Sequence, residues 1–318
     1  MTISRSIYRL SLAAWLVCGG FLAQPAVAQT QQQPAAEEAV DYSEMRYGEK
    51  RPAADKGVVA AQMALARDHL EGKNGARKSV RSAARWLTKA AEQGDAEAQF
   101  MLANLLMKGS RELKAKPSSA LTLYASAADK GNVEAAYKAA HGYHYGTGVE
   151  PDLEKAVVYY TKAADAGNIA AKNNLGLMYL QGKGTTRDLS IAFRLFEDTA
   201  KVGNAWGQNN LGGMYEMGWG TAKDLDQALS YYKKSADAGN KHGKQNHDRL
   251  KTIMAAANAK KEEAADQSTG STEAASSEGG SNTASQVAKP EAKTSEAEGT
   301  TSNVGASSTE GEASATTN

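Results

Sequence analysis

Two histidines, His141 and His144, stand three residues apart in the stretch "AYKAAHGYHYG". On a helix that spacing puts both imidazoles on one face, where they can share a metal ion. The pattern offers no third ligand. Glu134 lies two turns away, and the one cysteine of the chain, Cys18, sits in an N-terminal segment expected to be removed. No metal site is assigned. No Gly-x-Ser-x-Gly elbow, phosphate loop or pair of carboxylates placed by a motif is present, and the "GTG" at Gly146 to Gly148 reads as a turn between helices. The chain is therefore read as not an enzyme, with no catalytic residue and no cofactor. What the residues around His141 suit is binding. Tyr137 and Tyr145 flank the histidines, and the corresponding places further along the chain hold Asn173, Trp206 and Asn209. Rings, imidazoles and amides in one trough are what a peptide groove needs.

The elements that must position these residues are marked by a period. "ADAGN" occurs at Ala164 to Asn168 and again at Ala236 to Asn240, and related pentapeptides place glycines at Gly94, Gly131, Gly167, Gly203 and Gly239, spaced by 37, 36, 36 and 36 residues. A fixed period of this size marks a solenoid whose units bury their apolar faces against one another. Within one unit, Ala171, Leu175, Met178 and Tyr179 follow helical spacing, Gly182 and Gly184 interrupt it, and Leu189, Ala192, Phe193, Phe196 and Ala200 resume it. Each unit is a helix pair. The five period glycines are structural corners: a left-handed glycine closes one helix, and the Asn or Asp after it caps the next. Asp152, Asp188 and Asp224 are expected to cap the second helices. Gly176 and Gly212, in register with Ala66, Ala103 and Ala140, mark a close approach to Ala156, Ala192 and Ala228.

"NNLGLMYLQGKG" followed by "DLSIAFRLFEDTAKVGN", and the matching segment from Asn209 to Asn240, resemble the Sel-one-like repeat, a subclass of the tetratricopeptide-type helical repeats. Repeats one and two depart from the pattern, with His69 and Leu106 in place of the expected tyrosine and no Gly-x-Gly turn in "KGSRELKAKPSSA". The resemblance implies an all-α, right-handed α/α superhelical solenoid of about five 36-residue helix-turn-helix repeats, over residues 53–254 with a closing helix at Lys241 to Met254. It also implies a protein-binding scaffold, with the first helices lining the concave face. The partner-binding groove is then Tyr137, His141, His144, Tyr145, Asn173, Trp206 and Asn209. The competing reading leaves Tyr137 and Trp206 covering neighbouring helices.

The ends of the chain carry other signals. Residues 1–28 read as a secretory signal peptide: Arg5 and Arg9, an uncharged run from Leu10 to Ala23, then "AVA". The rival readings are an uncleaved anchor, for which about 14 apolar residues fall short of the roughly 20 that span a bilayer, and a lipidated Cys18, for which Val17 is too large. A periplasmic or secreted protein without stable membrane insertion, and without disulfides once Cys18 has gone, is expected. Residues 29–52 read as a polar linker and a partial helix. Residues 255–318 read as a disordered acidic tail, since from Glu262 onward ten acidic residues face two lysines and almost no large apolar side chain. Residues 262–318 carry −8 and hide a body of net charge +7 over 29–261.

Lys73, Arg77, Lys78, Arg81, Arg85, Lys108, Arg111, Lys114 and Lys116 concentrate charge in repeats one and two. Turns of a solenoid line up along one edge, so these side chains can form a basic edge or merely a solvated surface. The functional expectation is an exported scaffold or regulator that binds a polypeptide. The alternative is an envelope or exopolysaccharide assembly protein that binds an anionic glycan through the basic edge, and a hydrolase ranks below both. Nucleic acid is not expected as a partner of an exported protein.

Overall fold

The computed structural model describes residues 40–274. The signal peptide, most of the linker and residues 275–318 of the tail lie outside the described residues. Among the described residues there are twelve helices and no strand: α1 (Tyr47–Asp55), α2 (Val59–Glu71), α3 (Val80–Glu92), α4 (Ala96–Lys108), α5 (Pro117–Asp129), α6 (Val133–Tyr145), α7 (Leu153–Asp165), α8 (Ile169–Gln181), α9 (Leu189–Lys201), α10 (Ala205–Met217), α11 (Leu225–Asp237) and α12 (Lys241–Ala274). Even-numbered helices are the first of each pair. Consecutive helices pack on one another along the whole series, which makes the molecule an all-α solenoid.

The five corners share one construction. At Gly167 the backbone turns left-handed, with φ at 90°, and the other four lie between 79° and 91°. The Asn168 N–H donates back to the Ala163 carbonyl at 2.9 Å, while the Asn168 side-chain oxygen accepts from the Ala171 N–H at 2.8 Å. One residue thus closes α7 with its backbone and opens α8 with its side chain. Asp95, Asn132, Asn204 and Asn240 repeat both bonds. Asp152, Asp188 and Asp224 cap the second helices as expected, at 2.9 to 3.0 Å.

Inside each pair a second link recurs. The N–H that precedes the second helix donates to a carbonyl near the end of the first: Asp152 to Tyr143, Asp188 to Tyr179 and Asp224 to Tyr215 at 2.8 to 3.0 Å. Repeats one and two lack Gly-x-Gly yet keep this bond, from Ser79 to His69 and from Lys116 to Leu106, both at 2.8 Å. The departures in their sequences alter the loop and leave the helix pairing intact.

Close approach explains the small residues. A Cβ on Gly176 would stand 2.6 Å from the Phe196 ring, and one on Gly212 would stand 2.8 Å from the Tyr232 ring. Ala66, Ala103, Ala140, Ala156, Ala192 and Ala228 are all fully buried. The small side chains of the first helices admit one large side chain from each second helix: Leu87, Tyr124, Tyr160, Phe196 and Tyr232.

The ends of the array differ from expectation. Packing begins before residue 53: α1 buries Lys50 completely, and its ammonium group lies 2.6 Å from Asp68, which also accepts from Asn74 at 2.8 Å. Such a pair costs desolvation and holds one arrangement, since removing either charge strands the other. At the other end α12 continues past Met254 to Ala274, so the first part of the segment expected to be disordered is helical. "AAANAKKEEAA" consists largely of strong helix formers, and the side chains from 255 to 264 are exposed.

Two glycine substitutions separate strain from collision. At Gly167 an added Cβ meets nothing within 4 Å, so Gly167→Val carries backbone strain alone, about 1–2 kcal/mol. At Gly184, φ is +68° and a Cβ would run into the Leu153 carbonyl of the preceding repeat, so Gly184→Ala should cost more, about 3 kcal/mol. Thermal or urea unfolding measures the order; equal losses would show that the Gly184 turn yields freely.

Candidate functional site

The residues expected to line the groove fall into three groups. The first is an aromatic cluster on α6. His141 and His144 lie 4.5 Å and 4.4 Å from the Tyr145 ring by centroid, His144 stacking on it, and Tyr137 lies 6.4 Å from His141. Tyr137 and His144 both rest on Tyr160 of α7, at 6.1 and 6.0 Å. Tyr160 is wholly buried, so the cluster stands on a core ring and reaches solvent at Tyr145, which is 45% exposed.

Burial sets the charge of this cluster. It raises the Tyr137 phenol and, much further, that of Tyr160, so both stay neutral. His144 is held below its ordinary value first by burial, then by the charges of Lys183 and His141. Its Nδ1 is buried without a hydrogen-bond partner among the described residues. No cluster of three His, Cys, Asp or Glu side chains suited to a metal ion occurs among those residues.

The second group corrects an expectation about role. Asn173 and Asn209 do not open onto the trough: they are 9% and 3% exposed. Asn210 donates to the Asn173 oxygen at 3.0 Å, and Asn246 donates to the Asn209 oxygen at 2.9 Å, each bond crossing from one first helix to the next. Asn209 also donates to Asn210 at 3.4 Å, so the amides run continuously through α8, α10 and α12. Each bond contributes about 1 kcal/mol, and an unmatched buried amide would cost as much or more. The third group is Trp206, partly buried and 5.6 Å from His242 of α12, on repeat five rather than beside the α6 cluster.

One polar centre in this region escapes sequence reasoning. Arg249 grips both oxygens of Glu216 at 2.8 and 2.7 Å, and the Tyr232 hydroxyl donates to the same carboxylate at 2.8 Å. The usable signal is Tyr232 itself, a core tyrosine whose hydroxyl needs an acceptor; Tyr124 finds Asn104 in the same way at 2.6 Å. Burial alone would push the Glu216 carboxyl up, but the bonds from Arg249 and Tyr232 outweigh it and hold the group below its usual range. Lys73, Arg77, Lys78, Arg111, Lys114 and Lys116 lie in the inner turns of repeats one and two, Arg81 and Arg85 on α3 and Lys108 at the end of α4, and all nine are exposed. Glu112 lies among them, accepting from the Ser79 hydroxyl at 2.8 Å and from the Arg81 N–H at 3.1 Å.

A carboxylate with a lowered pKa in the fold stabilises it above the unfolded value and loses that contribution as pH falls through the folded one. The docking of α12 on α10 and α11 should therefore weaken below about pH 4.3. Thermal melts of the wild type should fall over that window, and those of Glu216→Gln should fall less steeply while starting lower. Parallel pH profiles for the two proteins would contradict this assignment.

The comparisons with known proteins agree with this architecture. The pattern described as the Sel1 repeat matches residues 59–95, 96–132, 133–168, 169–204 and 207–240, more than half of the chain. No curated protein sequence matches the chain. Among solved structures, a protective antigen of uropathogenic Escherichia coli displaying an SLR fold is 29% identical with a TM-score of 0.57, covering 63% of this chain and 43% of its own. A Sel1 repeat protein from Oxalobacter formigenes is 32% identical with a TM-score of 0.51, covering 58% of this chain and 73% of its own. This chain thus spans less than half of the first structure's length. With five matched repeats and the helix pairs, corners and caps described above, the chain belongs to the Sel1 repeat family.

Proposed function

We propose that this protein is an exported scaffold or regulator that holds an extended segment of a protein partner against the first-helix face of repeats three to five. Proteins of this family generally bind other proteins and are typically non-catalytic. The observation that carries the reading is the α6 cluster, in which Tyr137, His141, His144 and Tyr145 form a pre-organised aromatic surface on a buried ring. Rigid rings give contact area at little entropic cost, which is why such residues dominate binding energy. Trp206 with His242 supplies a second ring pair two repeats away. Asn173 and Asn209 act beneath the surface, holding successive first helices in register, rather than as contacts to the partner.

Export rests on the signal-like residues 1–28. Among the described residues no helix is long and apolar enough to cross a membrane. A second reading, an anionic glycan on the basic edge, is favoured by the exposure of Lys73, Arg77, Lys78, Lys108, Arg111, Lys114 and Lys116.

A partner captured by crosslinking in the cell envelope and then purified separates the two. Tyr137→Ala with Trp206→Ala should weaken its binding at least tenfold, about 1.4 kcal/mol, while circular dichroism stays nearly unchanged. If reversal of Lys73, Lys78 and Lys114 to Glu abolishes binding and the ring substitutions leave it intact, the groove reading fails and the basic edge is the binding surface.

A further inference from the structure

The last residues of α6, α8 and α10, with the equivalent place inside α12, form one register row, preceded by Glu71 and Lys108 at the ends of α2 and α4. Tyr145, Gln181, Met217 and Ile253 follow one another at intervals of 36 residues. Three are large apolar side chains that stay partly exposed, Tyr145 at 45%, Met217 at 40% and Ile253 at 50%, while most other large apolar side chains among the described residues are covered. Single exposed apolar residues need no explanation, but three at one register position, Met217 and Ile253 of them on successive first helices, call for one.

Cations border this row. The inner turns beside it carry Lys183, Arg187 and Lys223, all exposed. Lys183 is near enough to His144 to act on its charge, and Lys223 near enough to Glu216. Arg187 is anchored, with its Nε donating to the Leu180 carbonyl at 3.0 Å and its guanidinium 5.7 Å over the Trp219 ring. Lys183 and Lys223 form no ion pair with another described residue. The nearby carboxylates are committed: Asp188 and Asp224 cap helices, and Glu216 is held by Arg249 and Tyr232.

We propose that this rim is a docking strip for an extended acidic segment of another protein, which places apolar side chains against Tyr145, Met217 and Ile253 and carboxylates against Lys183 and Lys223. The inference rests on the reading of the first-helix face as partner-binding and specifies the chemistry of that partner. The first helices α8, α10 and α12 are linked by side-chain hydrogen bonds, and packed helices lie about 10 Å apart. An extended chain rises about 3.3 Å per residue, so every third residue meets the next repeat. The pattern that fits is apolar at one position, polar three residues on opposite Gln181, then apolar six and nine residues on. The strip is about 30 Å long and takes about ten residues.

Labelled twelve-residue peptides test this on the full chain by fluorescence anisotropy. A peptide of repeating Leu-Asp-Glu should bind at least tenfold more tightly than repeating Leu-Lys-Ser or Gly-Asp-Ser, and less tightly as salt rises. Met217→Glu with Ile253→Glu should cost tenfold or more, and Lys183→Glu with Lys223→Glu should reverse the preference toward the lysine peptide. These side chains are exposed, so circular dichroism should not change. Equal binding of the glycine and leucine peptides, or no effect of the rim substitutions, overturns the strip. Loss on Tyr137→Ala and Trp206→Ala without loss on the rim substitutions overturns the strip and leaves the groove reading standing. The opposite result supports the strip and removes the ring contacts from the binding surface.

Discussion

The corner at Gly167 and Asn168, with its four counterparts, is the constraint from which the rest follows. A glycine at positive φ turns the chain, and the next residue spends its N–H on the helix behind and its side-chain oxygen on the helix ahead. Because one residue carries both caps, the join has no slack, and every helix from α2 to α11 comes out at thirteen residues. Equal helices on identical joins repeat their register. A side chain at a given place in one first helix then stands beside its counterpart in the next, and both the amide run and the rim of Tyr145, Gln181, Met217 and Ile253 depend on that alignment.

Register also decides how polar groups enter the packed layers. Asn173, Asn209 and Asn210 are buried without being stranded, because the repeat that buries each one also supplies its partner. The same logic serves the core tyrosines: Tyr124 finds Asn104, Tyr160 accepts from Asn174, and Tyr232 finds Glu216. Phe196, at the equivalent place in repeat four, has no hydroxyl and needs no acceptor. In such an array a polar substitution is judged by what the neighbouring repeat offers, since the interface between repeats holds much of the stability.

The helix pairs, corners, caps and close contacts were legible in the sequence because each is a local pattern tied to a period. The exposure of Asn173 and Asn209 was not. Helical spacing tells which side of a helix a residue occupies, but the tilt between successive helices decides whether that side meets solvent or a neighbour. Lys50 was hidden for a different reason: a lysine in a short polar segment reads as surface, and only its pairing with Asp68 permits burial. The α6 cluster was legible as a group on one face, while its footing on Tyr160 required the second helix in place. The extent of α12 is hidden in the composition of the segment after Met254, which is polar and acidic as a whole while its first residues favour a helix.

The same register shows why the packed array stops where it does. At the place where five first helices carry Ala66, Ala103, Ala140, Gly176 and Gly212, α12 carries Asp248. A further second helix would press its core ring against a carboxylate that now stands exposed and bonded to Lys244 at 2.6 Å. Desolvating that charge without a buried partner would cost more than the ring contact returns. The outer side of α12 is therefore a finished surface, as end repeats need to be for solubility. The partly exposed apolar groups at Tyr145, Met217 and Ile253 share one register position on α6, α10 and α12, where a partner can meet several repeats at once.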